Sequence, residues 1–297
     1  MIANPGLEAI IIPNIRDLGD FSVRRALPAF QRQRVGPFIF FDQFGPTVLE
    51  AGHAVDVRPH PHIGLSTMTW LFDGEIQHKD SLGYDITIRP GEVNWMTAGR
   101  GIVHSERSPA SQRKGNAPLG GTQVWLALPL EKEEMAPAFY HYNANEIPKL
   151  TDTGVALTLV AGTAFGKTSP VHTESETFFA DLVLQDGKRF EAPTTIEERA
   201  VYVIEGNLNI AGDDFAAGTM VVLKPGIAID LQAQGNSHCV ILGGAPLAGV
   251  RHVYWNFVSS SRERIEQAKD DWRNGRFAKV DGDDEFIPLP DSVPAKE

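Results

Sequence analysis

Two of the nine histidines in the chain, His60 and His62, lie two positions apart in the stretch RPHPHIGLSTMTW. Alternate side chains of an extended strand point to the same side, so this spacing directs two imidazoles at one place. Pro59 and Pro61 favour extended backbone here, because a proline restricts the residue before it to the β or polyproline region. For an isolated pair of this kind, the alternative interpretation is a surface turn that carries two solvated histidines. The pair therefore has to be judged together with the other ligand-type residues of the chain.

His104 and Glu106 form a second pair with the same spacing, at the end of the stretch MTAGRGIVHSE. Two glycines just before the pair allow the backbone to turn tightly. If both stretches are strands of one small barrel, three imidazole nitrogens and one carboxylate oxygen meet in its interior. This donor set suits Fe, Ni, Mn, Co, Cu or Zn and leaves positions open for a substrate. The spacing predicts a metal site formed by His60, His62, His104 and Glu106.

The elements that would have to position these side chains are short strands. Glycine (28 residues) and proline (20 residues) punctuate the whole chain. Between them lie β-rich runs, which include FIFF, TMTWLF, DITIRP, VNWMT and QVWLAL, and then VALTLVA, FFADLVL, AVYVIEG, MVVLKPG and HCVILGG. Many short strands at such spacing are typical of β-sandwiches and β-barrels. The fold class predicted is all-β.

One segment, SSSRERIEQAKDDWRNG, has the pattern of an α-helix. It begins with serines that can cap a helix, carries an apolar stripe that includes Ile265 and Trp272, and ends in Asn-Gly at Gly275. The pattern predicts a helix over residues 261–274.

The two halves of the chain resemble each other. TWLFDGEI before IRPGEVNWMTAG is similar to VYVIEGNL before FAAGTMVVLKPG, with Gly74 matching Gly206 and Gly99 matching Gly226. This predicts a duplicated protein of two β-barrels. The first barrel, which carries the metal site, would span residues 1–130 and be joined by a connector, residues 131–150, to a second barrel. That second barrel, residues 151–297, would include the helix and the C-terminal tail.

The repeat also predicts which barrel binds metal. Ala192 and Thr194 match His60 and His62, and Leu231 and Ala233 match His104 and Glu106. None of these four residues is a metal ligand of the predicted kind, so we expect the second barrel to be free of metal.

Composition and charge narrow the range of partners. The formal net charge of −11 disfavours direct nucleic-acid binding, which needs a basic surface. No apolar run approaches the roughly 18 residues of a membrane span, and the first residues lack the basic start of a signal peptide. The single cysteine, Cys239, excludes an internal disulfide framework and is expected to be a buried small hydrophobic residue. A soluble, cytoplasmic monomer is the expectation.

Several long motifs resemble those of the pirin family, a branch of the cupin superfamily. They are RPHPHIGLSTMTWLFDGEIQHKDSLG, PGEVNWMTAGRGIVHSE, FIFFDQFGP, GGTQVWLALP and the tail GRFAKVDGDDEFIPLP. The resemblance covers essentially the whole chain and is weaker in the C-terminal half. It implies a duplicated cupin, or bicupin, whose metal lies in the N-terminal barrel only. The metal implied is one divalent ion, usually Fe(II), held by His60, His62, His104 and Glu106.

This chain departs from the general cupin pattern at Thr67. Other cupins carry a glutamate ligand there, soon after the H-x-H pair. In pirins, as in this sequence, the carboxylate comes from the position of Glu106.

The resemblance leaves three functions open. The first is a dioxygenase that cleaves quercetin-type flavonols with O2, in which Glu106 would also act as general base for the substrate's hydroxyl proton. The second is a metal-dependent redox sensor that docks on a transcription factor or an enzyme and catalyses no reaction. The third is another reaction at the same metal, such as hydrolysis or isomerisation. The sequence does not predict the residues that contact the substrate.

Five other histidines are expected to lie outside the metal site. His78, in GEIQHKDSLG, is expected to be a loop histidine near the mouth of the first barrel, with substrate contact as the alternative. Structural or solvated roles are expected for His141, His172, His238 and His252.

Overall fold

A computed structural model describes residues 4–291, so the first three and the last six residues of the predicted domain ranges lie outside the described residues. The first strands are β1 (Leu7–Ile11), β2 (Asn14–Asp17), β3 (Ser22–Leu27), β4 (Phe38–Leu49), β5 (Asp56–His62), β6 (Leu65–Asp73), β7 (Ile76–Asp80), β8 (Asp85–Ile88), β9 (Val93–Thr97), β10 (Ile102–Arg107), β11 (Ala117–Ala127) and β12 (Ala138–Tyr142). Short 3-10 turns cover Ala110–Arg113 and Leu130–Lys132.

The second half of the chain continues with strands until one helix. Its strands are β13 (Lys149–Asp152), β14 (Val155–Ala161), β15 (Thr163–Ala164), β16 (Lys167–Thr168), β17 (Thr177–Leu184), β18 (Arg189–Ala192), β19 (Glu198–Glu205), β20 (Asn207–Ile210), β21 (Asp213–Ala216), β22 (Met220–Leu223), β23 (Ile229–Ala233), β24 (Ser237–Gly244), β25 (His252–Tyr254) and β26 (Phe257–Ser259). The helix is α1 (Arg262–Arg273). The predicted all-β fold class with one C-terminal helix is confirmed.

The described residues form two compact units. Unit 1 contains the residues up to Ile15, then Arg24–Gln43 and Tyr142–Leu247, and unit 2 contains Arg16–Val23, Phe44–His141 and the residues from Ala248 onward. The helix therefore belongs to the unit with the paired histidines, whereas the sequence assigned it to the second barrel. The predicted boundaries of the connector between the two barrels, near residues 130 and 150, stay a prediction from the sequence repeat.

Each unit is built from one seven-stranded and one four-stranded antiparallel sheet. In unit 2 the four-stranded sheet has the order β5-β10-β7-β8, and the seven-stranded sheet has the order β12-β9-β6-β11-β4-β3-β2. In unit 1 the orders are β18-β23-β20-β21 and β1-β22-β19-β24-β17-β14-β13. The chain order of the strands is the same in both four-stranded sheets, and in both seven-stranded sheets apart from the edge strands β12 and β1, which confirms the duplication.

A large cluster of buried apolar residues lies in unit 1. Its buried members include Leu157, Phe178, Val201, Leu208, Leu231 and Cys239. Burial of this kind contributes about 25 cal/mol per Å² of apolar surface. Leu231, which matches His104 in the sequence repeat, therefore lies in an apolar cluster.

Helix α1 begins and ends where the sequence indicates. The side chain of Ser261 accepts a hydrogen bond from the backbone N–H of Arg264 at 3.2 Å, which caps the N-terminus. At the other end, Gly275 adopts a φ of 64°, a left-handed conformation that favours glycine. Ile265 is buried, and Trp272 packs against the same cluster, as the apolar stripe predicts.

Over residues 4–291, no helix has both the length and the apolar character that crossing a membrane requires.

Candidate metal centre

The strand register of unit 2 brings three of the predicted ligands together. β5 and β10 pair so that His60 lies directly opposite His104, with His62 two residues further along β5. All three side chains are buried, with relative exposures of 6%, 1% and 1% for His60, His62 and His104. One ligand nitrogen from each lies within 4.8 Å of the others. Among the described residues, these three histidines form the one such group.

The spacing of two nitrogens in this cluster suits a shared metal ion. Nε2 of His62 and Nε2 of His104 lie 3.1 Å apart. Two ligand nitrogens at right angles around an ion, each about 2.1 Å from it, are separated by about 3 Å. Two facing lone pairs at this distance repel unless a proton or a cation lies between them. The donor set therefore fits a divalent transition ion.

The three imidazoles are neutral at physiological pH, which is the form that ligates a metal. Burial lowers the pKa of His60 to about 4, although a backbone hydrogen bond opposes this shift. Burial, followed by the proximity of His60, holds the pKa of His62 and that of His104 well below the usual value. Three histidines in a dry interior cannot all carry charge.

His60 is oriented by the backbone of its own strand. Its Nδ1 lies 2.9 Å from the carbonyl oxygen of Arg58. Because a carbonyl oxygen only accepts, Nδ1 carries the hydrogen and Nε2 keeps its lone pair for a metal.

Glu106 lies on the same strand but outside the group of three histidines. Its Oε1 accepts a hydrogen bond from the Thr69 hydroxyl at 3.2 Å, and the same hydroxyl lies 2.7 Å from Oε1 of Gln123. Burial raises the pKa of Glu106, opposed by His78 and by the bond to Thr69. The carboxylate thus faces the barrel interior beside the cluster, and its role as fourth ligand stays a prediction.

His78 and Asp80 extend the cluster, and the sequence analysis missed them. The expected loop histidine is in fact buried within β7, where the register sets it opposite Glu106 and sets Asp80 opposite His104. Nδ1 of His78 lies 3.3 Å from Nδ1 of His104, and Nε2 of His78 lies 3.1 Å from Oδ2 of Asp80. The sequence carries a usable signal for this pair, because the two residues have the same two-residue spacing as His60 and His62.

Aromatic rings border the histidines. His78 stacks on Phe139 with ring centroids 4.4 Å apart and planes at 17°. Trp125 meets His62 edge-on at 5.2 Å. These rings restrict the rotation of the imidazoles they contact.

Comparison with known proteins identifies the family. The Pirin profile matches residues 20–126, and the profile of the Pirin C-terminal cupin domain matches residues 179–278. A pirin-like protein of Caulobacter vibrioides is 45% identical over 280 residues, which cover 93% of this chain and 96% of that protein. The chain belongs to the pirin family.

Two further relatives of this pirin carry the name of an activity. A Pseudomonas aeruginosa protein, named as a candidate quercetin 2,3-dioxygenase, is 38% identical over 267 residues, covering 89% of this chain and 83% of the relative. A crystal structure titled quercetin 2,3-dioxygenase from Acinetobacter baumannii has a TM-score of 0.88 and 31% identity, covering 97% of this chain and 98% of the other. The predicted bicupin fold is thereby confirmed.

The second cupin of this pirin has apolar residues in the strand pair that corresponds to the one with the predicted ligands. Leu231 lies opposite Phe190 in the β18–β23 pair, as His104 lies opposite His60 in the β5–β10 pair. Ala192 lies opposite Ile229, so the facing residues of this pair are apolar as well, and Thr194 lies beyond the end of β18.

Two residues separate β5 from β6, but five separate β18 from β19, so the turn after the first strand is longer in the second cupin. Ala192, Leu231 and Ala233 are all buried in the apolar core of unit 1.

The other histidines with a hydrogen bond to a side chain lie outside this cluster. The pairs are His141 with Asn94, His172 with Glu174, and His238 with Asp181.

A cavity of about 240 Å³ in unit 2 lies on the opposite face of β10 from the metal ligands. Its lining includes Ser105 and Arg107, which alternate along the strand with His104 and Glu106. Arg107 is paired there with Asp283 of the C-terminal tail at 2.8 Å. This cavity is separate from the histidine cluster.

Proposed function

We propose that the protein is a metal-dependent dioxygenase that cleaves flavonols of the quercetin type with O2. The observation that carries the proposal is the convergence of three buried, neutral imidazoles in one barrel, with the Nε2 atoms of His62 and His104 3.1 Å apart. The names of the Pseudomonas and Acinetobacter relatives support this substrate class.

The residues that would hold the ion are His60, His62, His104 and Glu106, and the ion proposed is Fe(II). Ni, Mn, Co, Cu and Zn suit the same donor set. When bound, such an ion supplies Lewis acidity and, for a redox-active metal, one-electron chemistry with dioxygen.

The chain's own residues contribute proton transfer and orientation. Glu106 is the proposed general base, because its carboxylate faces the barrel interior beside the histidines. Oε2 would take the 3-hydroxyl proton of the flavonol while Oε1 keeps the hydrogen bond from Thr69. Proton transfer to a positioned carboxylate contributes about 10²–10⁴-fold to a rate.

Water exclusion is the second contribution of the protein. His62 and His104 are each 1% exposed, and Trp125 packs edge-on against His62. A dry site strengthens the interactions between the carboxylate and the substrate's hydroxyl group.

The test is oxygen uptake together with carbon monoxide release. Metal-free protein is reloaded anaerobically with Fe(II), and in parallel with the other divalent ions, before quercetin and O2 are added. We expect O2 consumption that depends on quercetin, with one carbon monoxide released per O2. Protein carrying His62→Ala and treated in the same way is the control. Metal-loaded protein that consumes no O2 with any ion would overturn the proposal and favour the sensor hypothesis.

A further inference from the structure

The described part of unit 2 contains a continuous hydrogen-bonded path that leads from the histidine cluster to a buried carboxylate. It runs from Nδ1 of His104 to Nδ1 of His78 (3.3 Å) and from Nε2 of His78 to Oδ2 of Asp80 (3.1 Å). His78 and Asp80 are 4% and 2% exposed, so water does not compete for these atoms.

We infer that Asp80 and His78 are positioning residues that fix the tautomer of His104, the form in which its Nε2 can bind a metal ion. The inference rests on the metal site of the proposed function but not on the reaction. It assigns no contact with substrate to either residue.

The direction of the path follows from its last member. A carboxylate oxygen only accepts, so Nε2 of His78 carries a hydrogen and its Nδ1 keeps a lone pair. That lone pair accepts from Nδ1–H of His104, which leaves the lone pair of His104 on Nε2. Metal-ligating histidines commonly donate their other N–H to an orienting group in this way.

Asp80 is itself held in place by backbone donors. Its Oδ1 accepts from the N–H groups of Leu82 at 2.9 Å and Tyr84 at 3.2 Å, so Oδ2 is the oxygen left for His78. Phe139, stacked on the ring of His78, limits rotation of that imidazole. The path is therefore fixed in geometry as well as in direction.

The second cupin argues that this polar pair is not required by the fold. In the corresponding strand pair, Leu231 lies opposite Ile210 and Ala233 lies opposite Leu208. Both of these facing residues are apolar and fully buried. A four-stranded sheet of the same strand order thus forms with apolar residues facing each other in this strand pair.

The variant that tests the inference is Asp80→Asn, which keeps the shape of the side chain. The two backbone N–H groups should retain the amide oxygen of the asparagine, so its NH2 group would face Nε2 of His78. His78 would then carry its hydrogen on Nδ1 and donate to Nδ1 of His104, which puts the hydrogen of His104 on Nε2. Each hydrogen bond of the path would then have its donor and acceptor exchanged, without a change in packing.

Two measurements detect the change of the His104 tautomer and its effect on metal binding. The first is the ¹⁵N chemical shifts of the His104 ring in the metal-free protein, which distinguish an Nδ1–H from an Nε2–H tautomer. The second is the dissociation constant for Co(II), followed by the ligand-field spectrum of the ion. We expect the His104 tautomer to switch and the dissociation constant to rise by about 10–100-fold, the usual cost of an altered outer-shell partner.

The matched control is Asp181→Asn, because Asp181 and His238 form a similar pair at 2.8 Å in unit 1. This variant should leave Co(II) binding unchanged. The double variant His78→Leu, Asp80→Ile imitates the second cupin and should fold while binding Co(II) more weakly than the wild type.

The outcomes separate this inference from the proposed function. Wild-type tautomer and affinity in folded Asp80→Asn protein would overturn the inference and leave the metal site intact. Wild-type protein that binds no Co(II) would overturn the metal site itself. Weaker binding in Asp181→Asn as well would assign the effect to general destabilisation and so contradict the inference.

Discussion

Ile63, the residue that follows His62, forms a parallel β-bridge with Phe257 in the segment that leads to helix α1. Ile63 is fully buried in a cluster with Phe257, Ile265 and Ala268. The backbone N–H of Val258 also donates to the carbonyl oxygen of Ile63 at 3.1 Å. The C-terminal segment therefore supports the end of the strand that carries two of the proposed ligands.

Gly64 is the position where this contact should be most sensitive to substitution. Its φ is 68°, and a Cβ placed on it would lie 2.0 Å from the carbonyl oxygen of Val258. Gly64→Ala should lower the free energy of unfolding and the metal content, measured by urea denaturation and by metal analysis of the folded protein.

Gly83→Ala is the matched control, because Gly83 also has a positive φ, 93°, but no atom lies within 4 Å of its Cβ position. The backbone strain common to both variants is about 1–2 kcal/mol, so Gly64→Ala should be the more destabilising by a clear margin. Equal stability of the two variants would show that the C-terminal segment moves aside freely.

Removal of a proposed ligand should remove the metal. His62→Ala and His104→Ala should each reduce the content of divalent ion from about one per chain to a small fraction, because three buried imidazoles hold it cooperatively. Leu231→Ala is the counterpart change in the second cupin. It should cost about 2–5 kcal/mol of stability through the cavity it creates, yet leave the metal content unchanged. Stoichiometric metal in a triple alanine variant of His60, His62 and His104 would contradict the assignment.

Glu106→Gln separates the ligand role of this residue from its role as a base. Glutamine retains the shape and an oxygen donor but cannot accept the proton of the flavonol. Turnover of quercetin should fall by about 10²–10⁴-fold, while most of the metal stays with the three histidines. The measurement is carbon monoxide release and metal content in the same preparation. Wild-type turnover by the glutamine variant would reject the base assignment.

The strands, the helix and the two ligand-spaced pairs were predictable because each depends on a local pattern. His60 and His62 share a face through strand periodicity, and Ser261 and Gly275 mark the ends of the helix by their capping chemistry. His78 was misjudged because its burial depends on the pairing of β7 with β10, which is a long-range register.

The assignment of the helix to a unit also depended on long-range contacts. Nothing in the pattern of the helix indicates that Ile265 packs beside Ile63, about two hundred residues earlier in the chain. The hydrogen bond between Thr69 and Glu106 is likewise not revealed by spacing.

Cys239 should be unreactive in the folded protein. It is 1% exposed in the apolar core of unit 1, and burial raises the pKa of its thiol, so the reactive thiolate is scarce. We expect labelling by a disulfide reagent at mildly alkaline pH to be slow in native protein and rapid in guanidinium chloride. Rapid stoichiometric labelling of the native protein would contradict this prediction and indicate that the strand opens readily.

His238 should retain its proton to higher pH than an ordinary histidine. Burial alone would lower the pKa of His238, but the hydrogen bond to Asp181 at 2.8 Å and the nearby Glu205 outweigh it and raise that pKa above its ordinary value of 6.5. The unfolded chain therefore loses this proton first as the pH rises. The resulting stabilisation is fully present below pH 6.5 and is lost as the pH rises through the higher pKa of the folded state.

The measurement for His238 is an NMR titration of its imidazole in wild-type and Asp181→Asn protein. The wild-type midpoint should lie above 6.5, and the asparagine variant should shift it downward, because the amide supplies no negative charge. Unfolding by urea at two pH values on either side of the wild-type midpoint should show the two proteins closest in stability at the higher pH. A wild-type midpoint below 6.5 would mean that burial outweighs the Asp181 carboxylate, and the stability difference would then have to shrink at low pH instead.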